Sequence, residues 1–346
     1  MNPFALAILL ISMFIGTMVT LTSSHWLLAW LGLEISTLAI IPLMITDHHP
    51  RATEATTKYF LTQATAATLI LFSALINAWN TGMWELKELS PLSSNMLSLA
   101  LMMKMGLAPL HFWLPEVLQG LSLTTGLILS TWQKIAPIAL MYMIFSSLNI
   151  QVLMIMGLLS IIVGGWIGLN QVHLRKVIAA SSIAHLGWMM IILPFSPHIM
   201  MLTFLIYILM TTAMFLSFKI FNATQIKMLT IAWTKMPVLV ALMMFILLSL
   251  GGLPPTTGFL PKWFILQELT LQHIPSIATV MAISSLLSLF FYLRLTYALT
   301  LTYSPNTVNS TIMWRFKFNN MFYLPLMVVM VLATFLLPLT PSLISF

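Results

Sequence analysis

The sequence contains no cysteine. That absence excludes thiolate-ligated iron–sulfur clusters, cysteine zinc sites, disulfides and cysteine nucleophiles. Charge is nearly as scarce. Asp, Glu, Lys and Arg make up 6% of the 346 residues, where a soluble domain carries about a quarter. There is also no glycine-rich phosphate loop after a strand, no zinc-binding helix signature and no Ser/His/Asp triad pattern. Nothing therefore points to NAD, flavin or a metal held by this chain on its own. The 14 Lys and Arg outnumber the 7 Asp and Glu, for a net charge of +7. They are scattered singly, mostly in short loops, and form no basic stripe, which argues against nucleic acid as a partner.

What the sequence does have is apolar length. Hydrophobic residues make up 60% of it and the mean hydropathy is +1.01, which places the chain in lipid. A spanning helix takes roughly 20 apolar residues to cross a ~30 Å hydrocarbon layer. The length thus allows about ten to twelve spans and leaves no room for a soluble catalytic domain. Apolar runs predict spans over 3–22, 25–45, 57–80, 95–120, 122–146, 149–170, 175–195, 198–220, 236–271, 275–301 and 322–343. The opening Met1-Asn2-Pro3-Phe4 has no positive n-region, cleavage motif or Arg/Ser-rich transit peptide, so the first run is expected to stay as a helix. Expression in a bacterium, or synthesis inside the organelle that uses the protein, fits this start. The 28 methionines favour the second.

Two runs are interrupted. The stretch 95–120 contains Gly106, Pro109 and Pro115, and 236–271 contains Gly251, Gly252, Pro254, Pro255, Gly258 and Pro261. Charge decides whether the longer one crosses once or twice. With a single crossing, the loops on the N-terminal side hold Arg51, Lys58, Arg175, Lys176, Lys219, Lys227, Lys235, Arg315 and Lys317, while the opposite loops hold only Lys87. That bias puts the N-terminus on the cytoplasmic or matrix side. Two crossings would place Arg315 and Lys317 wrongly, so one broken span is expected.

The interrupted spans also align without gaps, Gly106-Leu-Ala-Pro-Leu-His-Phe-Trp-Leu-Pro-Glu116 on Gly252-Leu-Pro-Pro-Thr-Thr-Gly-Phe-Leu-Pro-Lys262, matching at five of eleven positions. Each is the fourth span in a set of five, and an odd number of spans inverts the second set relative to the first. Paired Gly/Pro-interrupted helices in corresponding halves point to a transport site. The expected architecture is all-α: a polytopic transmembrane helical bundle of about eleven spans. Residues 1–146 form a first five-helix repeat, 149–301 an inverted second, each with a discontinuous helix, and 302–346 a loop and C-terminal helix.

Glu34 lies near the middle of its span, about 15 Å from either end, and is too short to reach an interface. Such a carboxylate either belongs to a proton relay or forms a structural ion pair. Lys104 sits two residues before the first break, Lys134 three residues before Pro137, and Lys262 just after the second break. Burial disfavours the charged form of a lysine, so a buried lysine can load and release a proton near neutral pH, and a movable carboxylate nearby would switch its affinity. The alternative is that these lysines snorkel or fill helix gaps. His111, within the first break, and His185, within span 175–195, suit either proton relay or hydrogen-bonded packing. The other histidines lie near span ends or in loops and form no stacked pairs inside the bilayer, so a two-haem cytochrome is not expected.

Taken together, these motifs resemble one family along the whole chain. They are Leu31-Gly-Leu-Glu34, Met103-Lys-Met-Gly-Leu-Ala-Pro-Leu-His-Phe-Trp-Leu-Pro-Glu116, Ser130-Thr-Trp-Gln-Lys-Ile-Ala-Pro137, Ser181-Ser-Ile-Ala-His-Leu-Gly187 and Gly251-Gly-Leu-Pro-Pro-Thr-Thr-Gly-Phe-Leu-Pro-Lys-Trp263. The chain is similar to the antiporter-like membrane subunits of NADH–ubiquinone oxidoreductase, respiratory complex I, of mammalian mitochondrial type. The Lys-bearing helix motif is shared with Mrp-type cation/proton antiporter subunits. The resemblance implies a redox-inert, proton-translocating subunit of a translocase, driven by electron transfer from NADH to ubiquinone elsewhere in the complex. It implies that Glu34 and Lys104 form a charge pair, that Lys134 connects toward the middle, and that Lys262 serves the second half. His185 would join them along a hydrated axis at the bilayer midplane. No cofactor is expected in this chain; FMN, iron–sulfur clusters and ubiquinone would lie on partner subunits. The expected partners are the other membrane and peripheral subunits of complex I and membrane lipid such as cardiolipin. The expected location is the mitochondrial inner membrane, with the N-terminus on the matrix side and the C-terminus facing the intermembrane space. Bacterial members of the family have three further N-terminal helices.

Two other classes stay open at the level of sequence. A self-contained antiporter would exchange Na⁺ or K⁺ for protons without partners. In a purely structural scaffold, neutralising Glu34 and Lys104 together would restore what either change alone loses.

Overall fold

The computed structural model describes residues 2–46, 48–86, 88–234, 236–300 and 323–337. Among them the chain is helical, and β-structure is limited to the isolated bridges His25–Glu85 and His173–Gln225. The chain divides, within one helix, into two compact units, Met1–Ser160 and Ile161–Phe346.

In the first unit, α1 (Pro3–Thr22) begins where Asn2 accepts the amide of Phe4 and Pro3 fills the first helical position. It packs along α2 (Trp26–Met44) with Gly16 and Gly32 facing each other, the close small-residue contact by which helices associate in lipid. The third helix, α3 (Pro50–Thr81), is 32 residues long, or about 48 Å. This corrects the expected span 57–80. The helix starts seven residues earlier, at a His49 side chain that accepts the Arg51 amide and a Pro50 at its first position. Arg51, Glu54 and Lys58 therefore sit on its opening turns and not in a loop.

The interrupted run 95–120 becomes α4 (Pro91–Met105) and α5 (Trp113–Gly120). Neither half crosses ~30 Å alone, since 15 residues rise only about 22 Å. The run 122–146, expected to be continuous, is also divided, into α6 (Leu123–Ser130) and α7 (Trp132–Met143), followed by a single 3₁₀ turn. Thr131, at φ −113° and ψ −66°, interrupts it. Both the amide and the hydroxyl of Thr131 donate to the Leu127 carbonyl, at 3.0 and 2.8 Å. Back-bonding of this kind bends helices, and Pro137 lies within the next two turns.

Helix α8 (Ile150–Gly168) contains the boundary between the units. The second unit continues with α9 (Leu174–Ile192), α10 (Pro197–Phe221) and the short α11 (Ile226–Thr230). The run 236–271 forms α12 (Pro237–Gly251) and α13 (Phe259–Leu271), followed by α14 (Pro275–Thr300) and α15 (Tyr323–Phe335). Helix α13 packs on α9, α10 and α14, and α15 on α10 and α12. Arg294 donates to the Leu169 carbonyl at 2.8 Å, which ties α14 to the end of α8. Six described helices are each long and apolar enough to cross a membrane: α1, α2, α3, α8, α10 and α14. Lys87, Lys235, Arg315, Lys317 and most of the expected loop and helix over 302–346 lie outside the described residues.

Candidate functional site

The two helix breaks share one local geometry. Gly106 ends α4 at φ +81° and Gly252 ends α12 at φ +82°, a left-handed conformation that glycine adopts without strain. In the first break the amides of Gly106 and Leu107 both donate to the Met102 carbonyl, each at 3.0 Å. In the second, the amides of Gly252 and Leu253 donate to the Leu248 carbonyl at 3.1 and 3.3 Å.

A helix end leaves carbonyls without intrahelical partners, and in lipid each must be met from within the protein. Side chains meet them here. The Trp113 indole, on α5, donates to the Met103 carbonyl at 3.1 Å. The Gln63 amide, on α3, donates to the Lys104 carbonyl at 3.4 Å. In the second unit Lys262, on α13, donates from Nζ to the Gly251 carbonyl at 2.9 Å. The residue aligned with Lys262, Glu116, does something else: it is exposed and accepts from Lys58 at 2.6 Å, and Lys58 also pairs with Glu54 at 2.7 Å.

Lys104 and Lys134 line one small cavity in the first unit, together with Tyr59, Gln63, Trp113 and Gln133. The cavity measures about 10 Å³, room for roughly one water molecule. Lys104 is 6% exposed and Lys134 3%. Among the described residues the Lys104 ammonium has no hydrogen-bond partner, and neither does Oε2 of the half-buried Glu34. Glu34 and Lys104 make no direct ion pair among the described residues. Leu33, Ser36 and Thr37 of the same helix reach the cavity wall. Gln133, on α7, fixes that helix by donating to the Ser36 carbonyl at 3.1 Å.

In the second unit, Lys262 and His185 line a cavity of about 20 Å³ with Trp188 and Tyr207. The His185 and Tyr207 rings are 5.8 Å apart. Lys262 is half-buried, and its Nζ lies 5.9 Å from the centre of the Trp188 ring. His111 is 3% exposed, with Nδ1 3.2 Å from the Pro109 carbonyl and Nε2 buried without a partner among the described residues. It lines neither cavity.

Sequence reasoning singled out the charged groups and missed the polar side chains around them, Tyr59, Gln63, Gln133 and Trp188. A signal was available for two of these. An amide side chain inside an apolar span is costly unless it has a partner there, and Gln63 and Gln133 are both such residues. Among the described residues no three His, Cys, Asp or Glu gather in a metal-binding group.

Broken helices whose freed carbonyls are capped by side chains, with lysines on small internal cavities, define an antiporter-type membrane subunit. Residues 23–288 match the family described as NADH:quinone oxidoreductase/Mrp antiporter, and residues 289–344 match the NADH dehydrogenase subunit 2 C-terminus. Within that class the chain belongs to the NADH-ubiquinone oxidoreductase chain 2 family. It is 59% identical over 343 residues to the chain 2 protein of Salmo salar, covering 99% of this chain and 98% of that one. The Xenopus laevis protein is 57% identical over 342 residues, covering 99% of each. A chain of respiratory complex I from Thermus thermophilus superposes with a TM-score of 0.81 at 26% identity, over 97% of this chain and 80% of that one. A chain of the Mrp complex from Dietzia shares the fold, with a TM-score of 0.83 at 16% identity over 97% of this chain and 75% of that chain.

Proposed function

We propose that this chain is a proton-translocating membrane subunit of NADH:ubiquinone oxidoreductase, and that Glu34, Lys104, Lys134 and Lys262 are its proton-carrying groups. Its relatives are named as subunits of that enzyme, and the antiporter family model spans most of the chain. The observation that supports the residue assignment best is the cavity shared by Lys104 and Lys134. Two buried lysines line space for a water molecule, the minimum a proton needs to pass between them. The absence of a direct Glu34–Lys104 bond suits a switch. A carboxylate that does not bond the lysine directly can favour or disfavour its proton without trapping it. In the second unit Lys262 and His185 share a cavity in the same way.

The assignment extends to the organisation proposed from sequence, two inverted five-helix repeats over 1–146 and 149–301. The one-sided distribution of Lys and Arg supports an N-terminus on the matrix side of the mitochondrial inner membrane and a C-terminus facing the intermembrane space. Electron transfer through FMN, iron–sulfur clusters and ubiquinone belongs to partner subunits of the complex, and membrane lipid such as cardiolipin surrounds it. Each proton moved against 100 mV costs about 2.3 kcal/mol. That energy has to arrive as a shift in charge or hydration beside these groups.

The test uses the assembled complex in liposomes. Lys104→Ala or Glu34→Gln is expected to abolish proton pumping and coupled NADH:ubiquinone turnover, while the complex still assembles and oxidises NADH with an artificial acceptor. Full coupled pumping in either variant would overturn the assignment. Recovery in the double variant would instead support the scaffold reading.

A further inference from the structure

We infer that Trp188 is a positioning residue for Lys262, holding its ammonium at the boundary between an internal cavity and an apolar groove. This rests on the reading of Lys262 as a proton-carrying group. Both residues line both spaces. On one side is the cavity of about 20 Å³ that contains His185 and Tyr207. On the other is a groove of about 380 Å³, walled by Phe259 and Trp263 of α13 and Leu286 of α14, the last two exposed. Trp188 itself is buried. Trp188 and Lys262 are the residues common to the linings of the two.

The lysine is held by few contacts. Its Nζ donates to the Gly251 carbonyl at 2.9 Å and lies 5.9 Å from the centre of the Trp188 ring. Its stem lies so close across Gly252 that a Cβ there would come within 2.7 Å of Nζ and 2.9 Å of Cδ. The ring attracts a cation and not a neutral amine. A donated bond to a carbonyl is likewise strongest from a charged donor. Both contacts therefore hold the protonated lysine and relax when it is neutral. Protonated, Lys262 rests against the ring; deprotonated, its flexible stem is released toward either space. The titratable groups on the neighbouring elements are His185 of α9, Tyr207 of α10 and the buried Tyr292 of α14, which packs beside Gly251; α14 also contributes Ser285 and apolar side chains to the groove.

The test compares Trp188→Phe, Trp188→Met and Lys262→Met in the assembled complex reconstituted in liposomes. It reads proton pumping against pH, with NADH oxidation by an artificial acceptor as the measure of assembly. Met fills much of the ring's volume without a π face, and Phe keeps a weaker face. Removing the face disfavours the charged lysine, so the alkaline limb of pumping is expected about one pH unit lower in Trp188→Met. Trp188→Phe is expected to fall between Trp188→Met and the unaltered protein. If Trp188→Met fails to assemble, Trp188→Phe decides alone, and an unmoved limb overturns the inference. A normal profile in both Trp188 variants beside a Lys262→Met variant that cannot pump would also overturn it, leaving Lys262 as a proton carrier. Normal pumping by Lys262→Met would overturn the assignment of Lys262 itself, and the inference with it.

Discussion

The Nζ of Lys262 caps the broken end of α12 by donating to the Gly251 carbonyl at 2.9 Å, whereas Nζ of Lys104, beside the matching break, is buried with no partner among the described residues. Two lysines that each flank a helix break, one before it and one after, are thus differently anchored. One holds a helix end together, and the other is an unpaired group beside a cavity.

This difference predicts opposite effects on stability. Lys262→Met leaves a carbonyl unpaired in an apolar environment and is expected to destabilise by about 1–3 kcal/mol. Lys104→Met removes an unpartnered amine and is expected to be neutral or stabilising. Thermal unfolding of the purified complex, followed by loss of this chain from the assembly, measures both. Equal destabilisation by the two changes would show that the capping bond is not what separates them.

Gln63 supplies the Lys104 carbonyl with a donor and lines the same cavity. Gln63→Leu is expected to cost about 1–2 kcal/mol in stability and to slow pumping more than it slows artificial-acceptor activity. Proton flux measured in reconstituted complex would check this. Unchanged flux would mean that the polar wall of the cavity plays no part in transfer.

The left-handed turn at each break should tolerate only glycine. Gly106→Ala introduces a Cβ 2.8 Å from Leu114 Cδ1 at φ +81°, and the backbone conformation alone costs roughly 1–2 kcal/mol for an L-residue. Reduced assembly at raised temperature is the expected outcome. Gly82, also at positive φ but with nothing within 4 Å of an added Cβ, serves as the control that separates backbone strain from crowding.

Lys58 bridges Glu54 and Glu116, all three solvent-accessible, and joins the start of α3 to the first turn of α5. Surface pairs of this kind are weak and salt-screened. Glu116→Gln is therefore expected to change stability little, with the difference shrinking further in high salt. A large, salt-insensitive loss would show that the Lys58–Glu116 contact is a fixed hinge of the broken helix.

Much of the fold was legible along the chain. Gly106 and Pro109, like Gly252, Pro254 and Pro255, interrupt apolar runs by chemistry that acts within a few residues, and the breaks fall where those residues stand, while Pro115 lies in the first turn of α5. The break at Thr131 was not legible. No glycine marks it; the Thr131 hydroxyl bonds back to Leu127 there, and Pro137 follows within two turns. The early start of α3 escaped for a different reason. A polar run, Arg51-Ala-Thr-Glu54, reads as loop by hydropathy, while Pro50 suits a first helical position and the His49 side chain caps the Arg51 amide.

The same division runs through the site. Composition and span position by themselves determined that this is a multi-pass membrane protein with Glu34, Lys104, Lys134 and Lys262 set deep in apolar helices, because a charge in lipid stands out against its neighbours. Only the tertiary structure decided which of these groups meet. Lys104 and Lys134, thirty residues apart, share one cavity; Glu34 stands off from Lys104 without bonding it; and Lys262 is turned back onto its own broken helix under Trp188. Those relations depend on how separate helices pack side by side, and a local pattern of residues does not encode them.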